Sequence, residues 1–170
     1  MSKLEIVKVP DPILRETSTP VESVNADVRR LMDDMLETMY DAPGVGLAAI
    51  QVGVPRRVIV LDVSTDDEEP QPFFMANPEI VHLGEAMRTH EEGCLSIPGV
   101  NVEIERPADV TVRYVDREGA AQELTADGLL ATAIQHEVDH LDGKLIIDFM
   151  SRLRRDMIIR KFRKQRQASD

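Results

Sequence analysis

The sequence predicts an α+β fold: short antiparallel strands packed around one central helix, with an N-terminal and a C-terminal helix beside them. Three observations predict it. Short strand-like runs lie at 73–76, 79–83, 86–90, 101–106, 109–115 and 121–124, punctuated by Pro and Gly. No helical stretch separates them, which favours antiparallel pairing over crossover connections. Apolar residues recur at helical spacing in two longer stretches, near 25–40 and 126–141. The chain has 170 residues, 42% of them hydrophobic and 30% charged. That is an ordinary globular composition, and a chain of this length buries roughly two-thirds of its unfolded surface. Residues 1–170 therefore read as a single domain.

The elements follow in order. Residues 10–24 are rich in Pro, Ser and Thr and read as an extended wrapping segment. Asn25 suits the N-cap of a helix running to about Tyr40. Its apolar residues Val28, Leu31, Met32, Met35, Leu36 and Met39 share one face, so the methionines read as core filler. Pro43 and two glycines break this helix. Arg57–Val63 is β-branched and reads as a strand, and acidic 65–72 as a surface loop. After the run of short strands, Ala126–Leu141 is helical, and Gly143 suits its stop. A last, basic helix covers about 151–166.

No apolar run approaches the ~20 residues of a membrane span, and Met1–Glu5 does not open a secretory signal. A cytoplasmic protein is expected; a processed organellar one would look the same. The lone cysteine, Cys94, excludes an intrachain disulfide. It reads as a buried hydrophobe, a nucleophile or a metal ligand. The net charge of −11 is unevenly spread: from Arg152 onward eight Lys or Arg face Asp156 and Asp170, giving +6 and leaving −17 in residues 1–151. Such a tail is a solvated helical face or a polyanion-binding surface.

The strongest chemical signal is His136-Glu137-Val138-Asp139-His140. On a helix, positions i and i+4 share a face, so both imidazoles can reach one metal ion. Glu137 then projects beside the metal. A bound water there has a pKa of about 7, and the carboxylate can take and return its proton. The string lies amid Leu129, Leu130, Ala133, Ile134, Val138 and Leu141. A helix of that kind is mostly buried, and buried imidazoles need partners. A catalytic site of this type takes three protein ligands and keeps one position open. Spacing leaves the third ligand open between Cys94, in Glu91-Glu92-Gly93-Cys94-Leu95-Ser96, His90, His82 and a carboxylate. A third segment, Gly44-Val45-Gly46-Leu47-Ala48-Ala49-Ile50-Gln51, lacks the strand, the third glycine and the Lys-Ser/Thr of phosphate-binding loops. It reads as a loop whose backbone approaches a ligand closely.

In order and spacing, these three segments together resemble the motifs of the peptide deformylases, and the likeness runs from Val9-Pro10-Asp11 into the last helix. The resemblance implies a metal-dependent hydrolase that removes the formyl group from N-terminal formyl-methionine of new polypeptides. It implies Cys94, His136 and His140 as metal ligands, and Glu137 as general base and acid. Gln51 and the Leu95 N–H would form the oxyanion hole. It implies Fe(II), replaceable by zinc, nickel or cobalt. The methionine side chain would enter a pocket lined by Val45, Leu129, Ala133 and His136, with the peptide running as an added strand along Gly44–Gly46 and near Gly93, Leu95 and Ser96. Glu92 would pair with Arg106, and Asp139 would orient an imidazole. The basic last helix would dock on the ribosome; no membrane or DNA partner is expected.

Two rivals share the residues. A zinc peptidase would use the same HExxH string, but with a third His or Glu ligand, against which the Cys-containing segment argues. A non-catalytic binding module would keep the fold, but has no reason to keep both Glu137 and Gln51.

Overall fold

A computed structural model describes residues 2–169. Among them the chain forms α1 (Ala26–Asp41), β1 (Gly46–Ala48), β2 (Val58–Leu61), β3 (Phe73–Leu83), β4 (Met87–Cys94), β5 (Ile97–Pro107), β6 (Asp109–Val115), β7 (Ala121–Asp127), α2 (Gly128–Leu141) and α3 (Arg152–Ser169), with short 3-10 turns between. The fold is α+β, as its sequence predicts.

The strands form a five-stranded antiparallel sheet in the order β1-β2-β3-β6-β7 and a separate β4–β5 hairpin. β2 is buried along its whole length. Its alternate residues serve two cores: Ile59 and Leu61 pack with Ala131, Ile134 and Leu141 of α2, while Val58 and Val60 pack with Met32, Met35 and Met39 of α1. That double burial is why Val58–Leu61 is a continuous apolar run instead of alternating. A third core joins Val9 and Leu14 of the N-terminal segment to Ile97, Val102 and Ile104 of β5, to Ile146 and Ile147, and to Phe162 of α3.

Three local devices position the site. Asn25 caps α1 by accepting from Val28 N, and the helix stops just before the Pro43–Val45 loop. The β4–β5 pairing runs in register from Met87↔Pro107 to Gly93↔Asn101, then shifts so that Cys94 lies opposite Ile97. Such irregularities re-aim a side chain at the end of a ladder. After α2, Gly143 adopts φ +76°, and a Cβ there would collide with the Arg15 carbonyl. Glycine permits that turn and the close passage of the N-terminal segment.

Several boundaries differ from the sequence reading: the runs 73–76 and 79–83 are one strand, β4 continues past residue 90 to Cys94, and β5 already begins at Ile97. Ala126 and Asp127 end β7, so α2 begins at Gly128. Residues 46–48, read as loop, form β1: Gly46, Leu47 and Ala48 pair with Leu61, Val60 and Ile59. Three residues are too few for a periodic signal.

Candidate active site

His136 and His140 lie one turn apart on α2, 8% and 1% exposed. Cys94, brought in from β4, completes a cluster in which the three donor atoms lie within 4.8 Å of one another. The His140 Nε2 atom is 3.3 Å from His136 Nε2 and 3.4 Å from Cys94 Sγ. Around a tetrahedral ion with Zn–N and Zn–S bonds of ordinary length, neighbouring donors stand roughly 3.3–3.6 Å apart. The donor set therefore fits one ion. Its chemistry agrees. The His136 Nδ1 atom lies 3.0 Å from the Glu92 carboxylate, which places the ring proton on Nδ1 and leaves the Nε2 lone pair facing the cluster. Burial holds the His140 pKa well below the ordinary value and so favours the neutral ring that a metal ligand requires.

Glu92 is itself held tightly. Arg106 donates from Nε to its Oε2 (2.7 Å) and from Nη2 to its Oε1 (3.0 Å), and its third arm reaches Asp139 (2.9 Å). Burial pushes the Glu92 carboxyl up, but the bonds from His136 and Arg106 and the Arg106 charge outweigh it and hold the group below its ordinary value. Phe149 covers the guanidinium at 4.9 Å. The expectation that Asp139 orients an imidazole is corrected here: Asp139 accepts from Arg106, and Glu92 holds the ring of His136.

Glu137 is 4% exposed, and its Oε1 is a buried oxygen with no hydrogen-bond partner. Burial pushes its pKa up to about 7; His136 and Arg106 oppose that shift, while Glu92 and Asp139 add to it. A Cβ at Gly46 would overlap the Glu137 carboxylate, so β1 passes directly over the acid. Gln51 follows β1 in a 3-10 turn and is 1% exposed. Ala48 N donates to its Oε1 (2.9 Å), and its Nε2 donates to Ser96 Oγ (3.0 Å) and lies 3.6 Å from Cys94 Sγ.

A cleft of about 760 Å³ opens over these groups. Gly44, Val45, Gly46, Gln51, Gly93, Cys94, Leu95, Leu129, Ala133, His136 and Glu137 all line it, and His140 lies behind them. Its walls are close: a Cβ on Gly44 would stand 2.8 Å from Leu95 Cδ1. His90 lines the cleft outside the donor cluster, and His82 is exposed on β3. Sequence reasoning missed the N-terminal strap. Lys3–Ile6 and Lys8 line the cleft mouth, and the strap is tied by Val7 N to Gln51 O (2.7 Å) and by Val9 N to Ser96 O (3.0 Å). It also missed the grip of Ser96 on Gln51, since a buried serine leaves no pattern in sequence.

A Cys-His-His donor set on an HExxH helix, with a buried acid beside it at the floor of a cleft, defines the class as a metal-dependent hydrolase. The polypeptide deformylase family model matches residues 3–156. A peptide deformylase of Rhizobium meliloti (strain 1021) is 60% identical over 159 residues, covering 94% of this chain and 91% of the relative. The crystal structure of the Ehrlichia chaffeensis peptide deformylase in complex with actinonin superposes with TM-score 0.92 at 41% identity, covering 97% of this chain and 98% of that one. A Met-Ala-Ser-bound class I type b peptide deformylase from Acinetobacter baumannii gives TM-score 0.81 at 36% identity, with 87% and 99% coverage. The chain belongs to the polypeptide deformylase family.

Proposed function

We propose that this chain removes the formyl group from the N-terminal formyl-methionine of newly made polypeptides, releasing formate and a free amino terminus, with Cys94, His136 and His140 holding one metal ion. The observation that carries the reading is the convergence of two buried histidines and the half-buried Cys94 beside the unpartnered Glu137 oxygen. A divalent ion held there supplies Lewis-acid polarisation and a lowered pKa for water. We assign it as Fe(II), which the family resemblance implies and a thiolate ligand suits; zinc, nickel and cobalt fit the same donors.

The chain's own residues divide the remaining work. Glu137 takes a proton from the attacking water and delivers it to the departing amine nitrogen. Its Oε1 has no hydrogen-bond partner in the protein and so is free to do both. The Gln51 amide and the Leu95 N–H are assigned to the oxygen that gains charge, where one such donor is worth about 3 kcal/mol of barrier. The methionine side chain is assigned to the pocket between Val45, Leu129, Ala133 and the His136 ring. The backbone edges at Gly44–Gly46 and Gly93 accept the peptide as an added strand. The Met-Ala-Ser bound by the Acinetobacter baumannii relative has the form of the product this reaction leaves.

Formate release from formyl-Met-Ala-Ser by Fe(II)-loaded protein tests the reading. The wild type should turn over rapidly and Glu137→Gln should be nearly silent. A wild type that holds metal but releases no formate would remove the proposal. We further assign the place of action to the cytoplasm and helix α3 to the ribosome. Arg154, Arg160, Lys161, Arg163 and Lys164 are exposed on α3, a polycation suited to a phosphate backbone. Replacing Arg160, Arg163 and Lys164 by Glu should abolish co-sedimentation with ribosomes at low salt; unchanged co-sedimentation would refute the assignment.

A further inference from the structure

We propose that Ser96 is a positioning residue for the reaction: its hydroxyl holds the Gln51 amide so that one N–H stays aimed at the oxygen that gains charge. This rests on the assignment of Gln51 as a donor to that oxygen. Gln51 is 1% exposed, so water does not orient its amide. The Ala48 N–H bond to Oε1 (2.9 Å) settles which end is oxygen and which is nitrogen. Of the two N–H groups on Nε2, one donates to Ser96 Oγ at 3.0 Å. On the metal side, Nε2 meets only Cys94 Sγ, at 3.6 Å, and sulfur is a weak acceptor. The second N–H is thus the one a substrate oxygen can take over at little cost.

Ser96 is well placed for this task. It is fully buried, its carbonyl is fixed by Val9 N (3.0 Å), and it directly follows Leu95, whose own N–H is the second assigned donor. One turn therefore carries one donor in its main chain and grips the other through a side chain. The separation of the two donors is set by a single piece of backbone. Without the hydroxyl, Nε2 keeps a buried hydrogen with no acceptor, and the amide turns away from its productive angle to satisfy it.

The test is steady-state turnover of formyl-Met-Ala-Ser by metal-loaded protein, with metal content measured for every variant. Ser96→Ala should lower kcat about 10- to 100-fold, the usual range for a residue supporting a catalytic group. KM and metal content should stay as in the wild type. Ser96→Thr and Ser96→Val have the same shape, so any strain from the added methyl falls on both. Thr should keep most of the activity and Val should lose it as Ala does. In a Gln51→Ala background, Ser96→Ala should cost less than about twofold, because the group it positions is gone. Equal activity in the Thr and Val variants, a full additional loss in the Gln51→Ala background, or a loss that tracks metal content would each overturn the proposal. If Gln51→Ala alone turns over like the wild type, the assignment of Gln51 fails first, and the role of Ser96 falls with it.

Discussion

On the α2 and β4 side of the cleft, charged side chains are locked to one another. His136 meets Glu92, Glu92 takes two bonds from Arg106, and Arg106 reaches Asp139 beneath Phe149. On the opposite side the fastening is main chain. Gln51 is held by Ala48 N at its amide and by Val7 N at its carbonyl, Ser96 by Val9 N, and Val45 O by Asp62 N (2.9 Å). Glycines at 44 and 46 let that backbone come within contact of Leu95 and Glu137. One wall keeps donors in place by ionic forces that hold even under burial. The other keeps a narrow gap because Gly44 and Gly46 put no Cβ into it. They should fail differently.

Removing the ionic lock should have the largest effect. Arg106→Ala leaves the Glu92 carboxylate buried with only the His136 ring and no counter-ion, which typically costs about 3–5 kcal/mol of stability. Metal affinity should fall about 10- to 100-fold as His136 loses its fixed partner. Denaturant melts and a competitive chelator titration measure the two; a variant that melts like the wild type would show that the lock is not structural. Gly46→Ala should break the other wall at less cost to the fold. Its methyl overlaps the Glu137 carboxylate, and a shift near 1 Å in a reacting group costs about 100-fold in kcat. Metal content should be unchanged, and if metal is lost with activity the two walls are not separable.

The smallest effect concerns the strap. Arg15 grips Asp148 through both guanidinium nitrogens (2.7 and 2.9 Å) and donates to Gly143 O. Burial pulls the Asp148 carboxyl up, but the Arg15 and Leu145 N–H bonds and the charges of Arg15 and Arg155 outweigh it, so its folded pKa lies below the ordinary 3.8. A group lowered in the folded state adds stability that is present above the unfolded value and lost as pH falls through the folded one. Melting points of the wild type and Asp148→Asn should therefore differ above pH 4 and converge below it. A gap that persists in acid would assign the effect to packing.

The difference between the walls also explains what was legible in the sequence. The His136–His140 spacing is a helical period, and the α1 stripe of Val28, Met32, Met35 and Met39 is another, so both could be read residue by residue. The gap-forming wall has no such grammar. β1 is three residues long, the Gln51–Ser96 bond spans 45 positions, and the strap bonds donate from main-chain amides that every residue but proline carries. Glu92–Arg106 followed from resemblance and is more than the surface pair its residue types alone suggest: both side chains are at most 7% exposed. The role for Asp139 also followed from resemblance and went astray, because a sequence does not say that Arg106 from β5 claims its carboxylate.

The strap has a consequence for the order in which the molecule is assembled. Val9 shares a core with Phe162 of α3, and Arg15 bonds to Gly143 and Asp148 across 128 and 133 positions of chain. Contacts this distant in sequence pay loop-closure entropy before they return any energy, so they form late. The same strap carries the amides that seat Gln51 and Ser96. In a copy of this chain still under synthesis the HExxH helix and the hairpin therefore come before a finished cleft, and the strap must wait for Gly143, Asp148 and α3, which are made well after it.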